Sequence, residues 1–174
     1  DYYCEKISIE KLKHFVSKEA FNIEGFGKKI VENFWNLKLI KFPQDIFKLD
    51  YTKIEKLEGW GKLSVDNLKY SINEKKEISL ERLIYSLGIR HIGLENAKLL
   101  SKYFISFKKF IEFSRSKKYD DLLNIDGMGE TQVSSIKIFF SNSINIKVLN
   151  ELDRILKIND AAILKKDGPL NNKT

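Results

Sequence analysis

Four short glycine clusters recur along this chain at a near-constant interval and account for eight of its nine glycines. Three clusters have the form acid-Gly-x-Gly: Glu24-Gly25-Phe26-Gly27, Glu58-Gly59-Trp60-Gly61 and Asp126-Gly127-Met128-Gly129. The remaining cluster, Leu87–Gly93, is the third in chain order. It keeps the second glycine of the pattern and has His91 at the position of the first glycine. Equivalent positions lie 32 to 36 residues apart, which is typical of a repeated supersecondary unit.

Apolar residues at helical spacing flank each cluster. Phe15 and Val16 precede the first cluster, and Val31 and Phe34 follow it. Similar patterns surround the other three clusters, and no convincing strand alternation is present. The sequence therefore predicts an all-α fold of four tandem helix-hairpin-helix units, packed as two pairs in one compact domain. Helices that link these units are predicted at residues 45–49, 107–113 and 144–156.

A glycine turn of this kind favours binding of DNA phosphates. Glycine adopts positive φ at low cost and leaves its backbone N–H unshielded, and the following helix adds unpaired N–H groups and its positive dipole end. Together these groups suit an anion such as a phosphate. The residues between the glycines, Trp60 among them, are predicted to plug the space between the helices rather than stack on bases. The candidate DNA-binding residues are Gly25, Gly27, Lys28, Lys29, Gly59, Gly61, Lys62, Arg90, His91, Gly93, Gly127 and Gly129.

The four turns are not equivalent in charge. Lys28 and Lys29 follow the first turn, and Lys62 follows the second, whereas Glu130 follows the fourth and would repel a phosphate. The third turn offers Arg90 and His91. We therefore expect turns one to three to contribute more DNA affinity than turn four.

The net charge of +7, from 31 Lys+Arg and 24 Asp+Glu, favours a DNA-binding repeat over a purely structural one. The charge is uneven, because seven basic residues and the single acid Glu112 lie between Lys98 and Lys118. This stretch is either a solvated face or a second DNA-facing surface, and the sequence leaves both open.

Composition excludes several classes of protein. A hydrophobic content of 43% excludes a disordered tail, and no apolar run reaches the roughly 18 residues that span a bilayer. A single cysteine, Cys4, excludes a disulfide scaffold. No nucleotide-binding fingerprint or catalytic triad is indicated by spacing. His14 lies among apolar neighbours and is predicted to be packed or capping.

Cys4 and the segment Leu12–Gly25, with its specific His-Phe-Val-Ser stretch, resemble the region that joins the zinc finger to the helix-hairpin-helix domain of bacterial NAD-dependent DNA ligases. Residues Leu87–Ala97 resemble the third hairpin of the same family. The resemblance covers the chain from about Cys4 to Leu156.

The resemblance implies a division of the chain and a role for it. Residues 1–13 would end a truncated zinc finger, residues 14–158 would form the helix-hairpin-helix domain, and residues 159–174 would lead toward a BRCT domain. Cys4 would be the fourth zinc ligand of a site that is incomplete here. Because the chain starts at Asp1 and ends in a polar tail, we expect it to be an internal fragment of a longer protein.

The resemblance also implies the chemistry of the parent. A ligase of this family seals nicks between a 5′-phosphate and a 3′-hydroxyl in DNA replication and repair, and uses NAD, Mg²⁺ and Zn²⁺. The fragment itself would need no cofactor and would be non-catalytic. Its expected partners are nicked double-stranded DNA and the remaining ligase domains, with no membrane contact. We expect a monomer in the bacterial cytoplasm, associated with the nucleoid.

Lys165-Lys166-Asp167-Gly168 formally matches the Lys-x-Asp-Gly adenylation motif of ligases. A nucleophilic lysine needs a surrounding pocket that tunes its pKa, and this copy lies in a polar tail, so a linker role is predicted. Three alternative functions remain open: a DNA-binding module of another repair protein such as a nuclease, a helical protein-interaction repeat, and catalysis by the fragment itself.

Overall fold

The computed structural model describes residues 2–162, with side chains from Cys4 onward, and within them the fold is all-α as predicted. The α-helices are α1 Tyr2–Val16, α2 Lys28–Asn36, α3 Tyr51–Glu55, α4 Lys62–Glu74, α5 Leu80–Ser86, α6 Leu94–Phe104, α7 Phe107–Ser116, α8 Glu130–Ser141 and α9 Ser143–Ile155. Two 3₁₀-helices span Pro43–Lys48 and Tyr119–Asn124, and two strands span β1 Glu77–Ser79 and β2 Lys157–Asn159. The adenylation-like stretch Lys165–Gly168 lies outside the described residues.

Each predicted turn is followed directly by a helix. We name residues 24–27, 58–61, 90–93 and 126–129 turns 1 to 4, and they lead into α2, α4, α6 and α8. Turns 2 and 3 follow α3 and α5, turn 4 follows the second 3₁₀-helix, and turn 1 follows an irregular segment after α1.

The linking helices appear where they were predicted. α7 and α9 cover residues 107–113 and nearly all of 144–156, and the helix predicted at 45–49 is the 3₁₀-helix Pro43–Lys48. The proline at its first position fixes φ and has no N–H to leave unsatisfied. Asp45 accepts hydrogen bonds from the backbone N–H groups of Lys41 and Phe42, which holds the start of this helix.

Within residues 2–162, the structure adds a small parallel sheet to the predicted architecture. β1 and β2 pair in the register Glu77↔Lys157, Ile78↔Ile158 and Ser79↔Asn159. Strands of three residues are too short to show an alternating pattern, so periodicity did not predict them. β2 ends one residue beyond the predicted domain end at 158, and α1 runs across the predicted boundary at 13/14, so the domain division stays a prediction.

One continuous hydrophobic core, rich in phenylalanine, holds the helices together. Phe15 and Phe21 stack with ring centroids 4.3 Å apart beneath α1. In the other half, Phe110 packs 5.3 Å from Phe104 and 5.1 Å from Phe140. α1 packs on α2 and α5, while α9 packs on α7, α8 and the first 3₁₀-helix. The four hairpins are therefore fixed to one shared core.

The backbone of turn 2 yields a stability prediction. Gly59 has φ of 85°, and a Cβ added there would meet no atom within 4 Å. We expect Gly59→Ala to lower the free energy of unfolding by about 1–2 kcal/mol through backbone strain alone. Gly59→Asn is the matched control, because asparagine adopts positive φ more readily and should cost less. Urea unfolding measures both, and equal losses would contradict a strain mechanism.

Candidate nucleic-acid interface

The four turns share one backbone geometry. Their first positions, Gly25, Gly59, His91 and Gly127, have φ of 81°, 85°, 65° and 96°. His91 therefore adopts the conformation that glycine adopts in the other three turns, although it carries a side chain. The equivalence of His91 with the first glycines, which the spacing predicted, is confirmed by this geometry.

The middle residue of each turn is tied to the preceding segment in the same way. The backbone N–H groups of Phe26, Trp60, Ile92 and Met128 each donate to the carbonyl three residues earlier, at 3.0–3.1 Å. Phe26, Ile92 and Met128 are buried. Trp60 is half-buried, with its ring 5.8 Å from that of Phe34, which agrees with the packing role predicted for it.

The second glycine of each turn caps the next helix. Gly27, Gly61, Gly93 and Gly129 are extended N-caps without a side-chain cap for the N–H groups of the first helical turn. Their carbonyls accept from the N–H groups of Val31, Val65, Ala97 and Val133, all of which are buried. This anchors each helix in the core and leaves its first N–H groups available to an anion.

Turn 4 differs from the others in how far its glycines are covered. A Cβ placed at Gly127 or Gly129 would lie 3.1 Å from Leu99 or Gln132, whereas one at Gly27, Gly61 or Gly93 would meet nothing within 4 Å. The Gly129 N–H also donates to Gln132 Oε1 at 3.0 Å. In turn 2 the Gly61 N–H donates to Ser64 Oγ at 2.9 Å, while Gly27 and Gly93 have no such acceptor among the described residues.

The charged candidates lie where the sequence placed them. Lys28, Lys29, Lys62 and Arg90 are exposed at the turns, and none forms an ion pair with another described residue. Glu130 is exposed at the first position of α8. The seven basic residues between Lys98 and Lys118 are also exposed, on α6, α7 and the segment after α7, and their role stays a prediction.

Turns 3 and 4 are joined by reciprocal contacts. His91 Nδ1 lies 3.0 Å from Ser135 Oγ on α8, and Gly127 faces Leu99 on α6. Ser135 and Leu99 each occupy the sixth position of their helix, so each turn contacts the equivalent position of the other hairpin. Turns 1 and 2 are joined by the contact of Phe34 with Trp60. Pairing of the hairpins, expected from the repeat, is therefore present in the structure.

Equivalent clefts open beside turn 1 and turn 3. The first, of about 490 Å³, lies between turn 1 and α4 and contains Glu24 and Gly25. The second, of about 450 Å³, lies between turn 3 and α8 and contains Arg90 and His91. At equivalent turn positions, the second cleft has Arg90 and His91 where the first has Glu24 and Gly25, although Glu130 also lines the second cleft.

Three side chains that support the turns were missed at the sequence level. Arg82 on α5 donates to the carbonyls of Ala20 (2.8 Å) and Lys18 (2.6 Å), which fixes the irregular segment before turn 1. Asn96 donates to the His91 carbonyl, and Ser135 holds the His91 ring. The contacts of Arg82 and Ser135 join residues that only the tertiary fold brings together, so no local sequence pattern predicts them. His14, by contrast, is packed as predicted, with Nε2 2.7 Å from the Tyr85 carbonyl.

A zinc site needs four ligands, and the described residues do not supply them. Cys4 lies exposed on α1, and residues 2–162 contain no group of three or more His, Cys, Asp or Glu side chains that could hold a metal. In the same range, no helix combines the length and apolar character needed to cross a membrane.

Comparison with known proteins agrees with this geometry. Residues 82–149, which include turns 3 and 4, match the family model of the helix-hairpin-helix motif. A DNA ligase of Pelagibacter ubique is 63% identical over 173 residues, covering 99% of this chain and 26% of the relative. DNA ligases of Wolbachia pipientis wMel and Ehrlichia canis are 42% and 41% identical over 99% and 100% of the chain, and 27% of each relative.

Over nearly its whole length the chain is similar to a segment of DNA ligases, and residues 82–149 carry the helix-hairpin-helix motif. It spans about a quarter of the length of these curated ligases. The resemblance drawn from Cys4, Leu12–Gly25 and Leu87–Ala97 is thereby confirmed at the level of the family.

The contrast between turns 2 and 4 yields a matched pair of variants. Lys62 and Glu130 occupy the same exposed position, the first residue of α4 and of α8. We expect Lys62→Glu to weaken binding to duplex DNA about tenfold, and Glu130→Lys to strengthen it a few-fold, because each change alters charge beside a phosphate. Fluorescence anisotropy at 100 mM salt measures both. Equal and opposite effects would contradict the lower contribution expected of turn 4.

Proposed function

We propose that this chain binds nicked duplex DNA through its backbone phosphates, without sequence preference, as the helix-hairpin-helix part of an NAD-dependent DNA ligase. The observation that carries the proposal is the shared geometry of the turns, in which a positive-φ residue and a glycine N-cap leave the first N–H groups of α2, α4 and α6 open. Exposed Lys28, Lys29, Lys62 and Arg90 surround these groups.

The mechanism is one of positioning. Backbone N–H groups at a helix start donate to phosphate oxygens, and neighbouring lysines supply charge that is not directional. Such contacts fix the register of the protein on the duplex but carry no sequence information. Because both hairpin pairs share a rigid core, phosphates bound at turns 1 and 2 and at turn 3 would be held at a fixed separation. A fixed separation suits a duplex whose two strands must stay aligned across a nick.

The remaining steps belong to the parent protein. The ligase relatives support a parent that joins DNA strands, and NAD, Mg²⁺ and Zn²⁺ are the cofactors we propose for it. Cys4 would contribute the fourth zinc ligand together with residues of another segment. We propose that the chain itself is non-catalytic and monomeric, contacts the other ligase domains, and acts in the bacterial cytoplasm during replication and repair.

The salt dependence of binding tests the proposal. If about four to six phosphates are engaged, log affinity should fall with log salt at a slope of about −4 to −5. Anisotropy titrations of a labelled nicked duplex between 50 and 200 mM salt give the slope, and an intact duplex gives the preference for a nick. A slope near zero would contradict backbone binding, and the absence of any DNA binding would favour a protein-interaction repeat.

A sealing assay separates binding from catalysis. The chain is incubated with a nicked duplex, NAD and Mg²⁺, and the product is followed on a denaturing gel. We expect no sealing, because the only lysine in an adenylation-like context, Lys165, lies in a polar tail. Sealed product would overturn the non-catalytic assignment.

A further inference from the structure

A groove of about 780 Å³ runs between α1 and the loop that contains turn 3. One wall is a face of α1, and the other is formed by residues of the 88–93 loop, including His91 and Gly93. The groove therefore shares Gly93, the N-cap of α6, with the turn 3 phosphate site. The α1 residues that line it are Lys6, Ile7, Glu10, Lys11 and His14.

The α1 face has a cationic rim and a less polar middle. At 3.6 residues per turn, Ile7 and His14 lie near the centre of this face, and Lys6 and Lys11 lie on its two edges about 140° apart. Ile7 is 41% exposed and adds apolar surface to the middle of this face. The opposite wall contributes Ile89 and Ile92, which are buried.

The acid on this face, Glu10, forms an ion pair with Lys13, which also pairs with a second carboxylate. Glu10 Oε2 lies 3.1 Å from Lys13 Nζ, and the same ammonium lies 2.8 Å from Glu32 on α2. The hydrogen bond to Glu32, with a further one to Glu10, raises the pKa of Lys13. Lys6 and Lys11 are the two lysines of the groove lining, and neither forms an ion pair with another described residue.

We propose that this groove holds a stretch of DNA sugar–phosphate backbone that continues from turn 3, with Lys6 and Lys11 contacting phosphates and Ile7 contacting the deoxyribose edge. The inference rests on the proposed function, since the same strand must reach Gly93. A DNA strand suits the groove because it carries anionic groups at regular intervals on a less polar sugar framework. α1 would then be part of the DNA interface rather than only a connection to it.

Two variants separate the charged and apolar parts of this contact. Lys6→Gln/Lys11→Gln should weaken binding to a nicked duplex roughly tenfold and make the salt slope less negative by about 2, since each lost phosphate contact removes about 0.9. Ile7→Gln should weaken binding a few-fold and leave the slope unchanged, because it removes apolar contact and no charge. All three residues are exposed, so the fold should be retained, which thermal unfolding checks.

Lys147→Gln/Lys157→Gln is the matched control, with the same loss of charge on α9 and β2 and outside this groove. We expect it to leave the slope within error of the unmodified chain. If the unmodified chain binds DNA and the Lys6/Lys11 variant behaves like the control, the groove does not hold DNA and the inference is overturned. If the unmodified chain does not bind DNA at all, the proposed function itself fails.

Discussion

The structure depends on a single backbone device, a positive-φ residue followed two positions later by an extended glycine that caps a helix. It lets each hairpin reverse within four residues. The apolar residue between these two positions points inward and fills the space between the two helices of the hairpin. The carbonyl of the second glycine starts the helical hydrogen-bond ladder at a buried residue, so the helix is anchored from its first turn. The N–H groups of the first helical turn have no partner within the helix, and they are the groups available to a phosphate.

Repetition of this device gives two pairs of hairpins that are alike in backbone and different in chemistry. The reciprocal contacts of His91 with Ser135 and of Gly127 with Leu99 lock turns 3 and 4 together. The same contacts partly cover turn 4, and Glu130 adds an unfavourable charge there. Turn 4 therefore packs against turn 3, and Arg90 and His91 of turn 3 are basic groups that turn 4 lacks.

Much of this could be predicted from the sequence because the turns are local. The period located all four turns, and it identified His91 as equivalent to glycine before its φ was known. The helical patterns also located α7 and α9. The β1–β2 pairing, the bonds of Arg82 to Lys18 and Ala20, and the contact between His91 and Ser135 could not be predicted. Each joins residues distant in sequence, and three-residue strands and lone polar side chains have no periodicity to reveal them.

The parallel ladder of β1 and β2 has a consequence for how the chain reaches its native state. It joins the last described segment to the middle of the chain, and the Asn159 side chain bonds Glu77 across 82 residues. Closing a loop of this length costs entropy that is recovered only when both hairpins of the second pair lie in place. The local helical turns need no long loop to close, whereas this ladder does, and it raises the contact order of an otherwise helical domain. During synthesis, the fold would be completed only after residue 159 has left the ribosome.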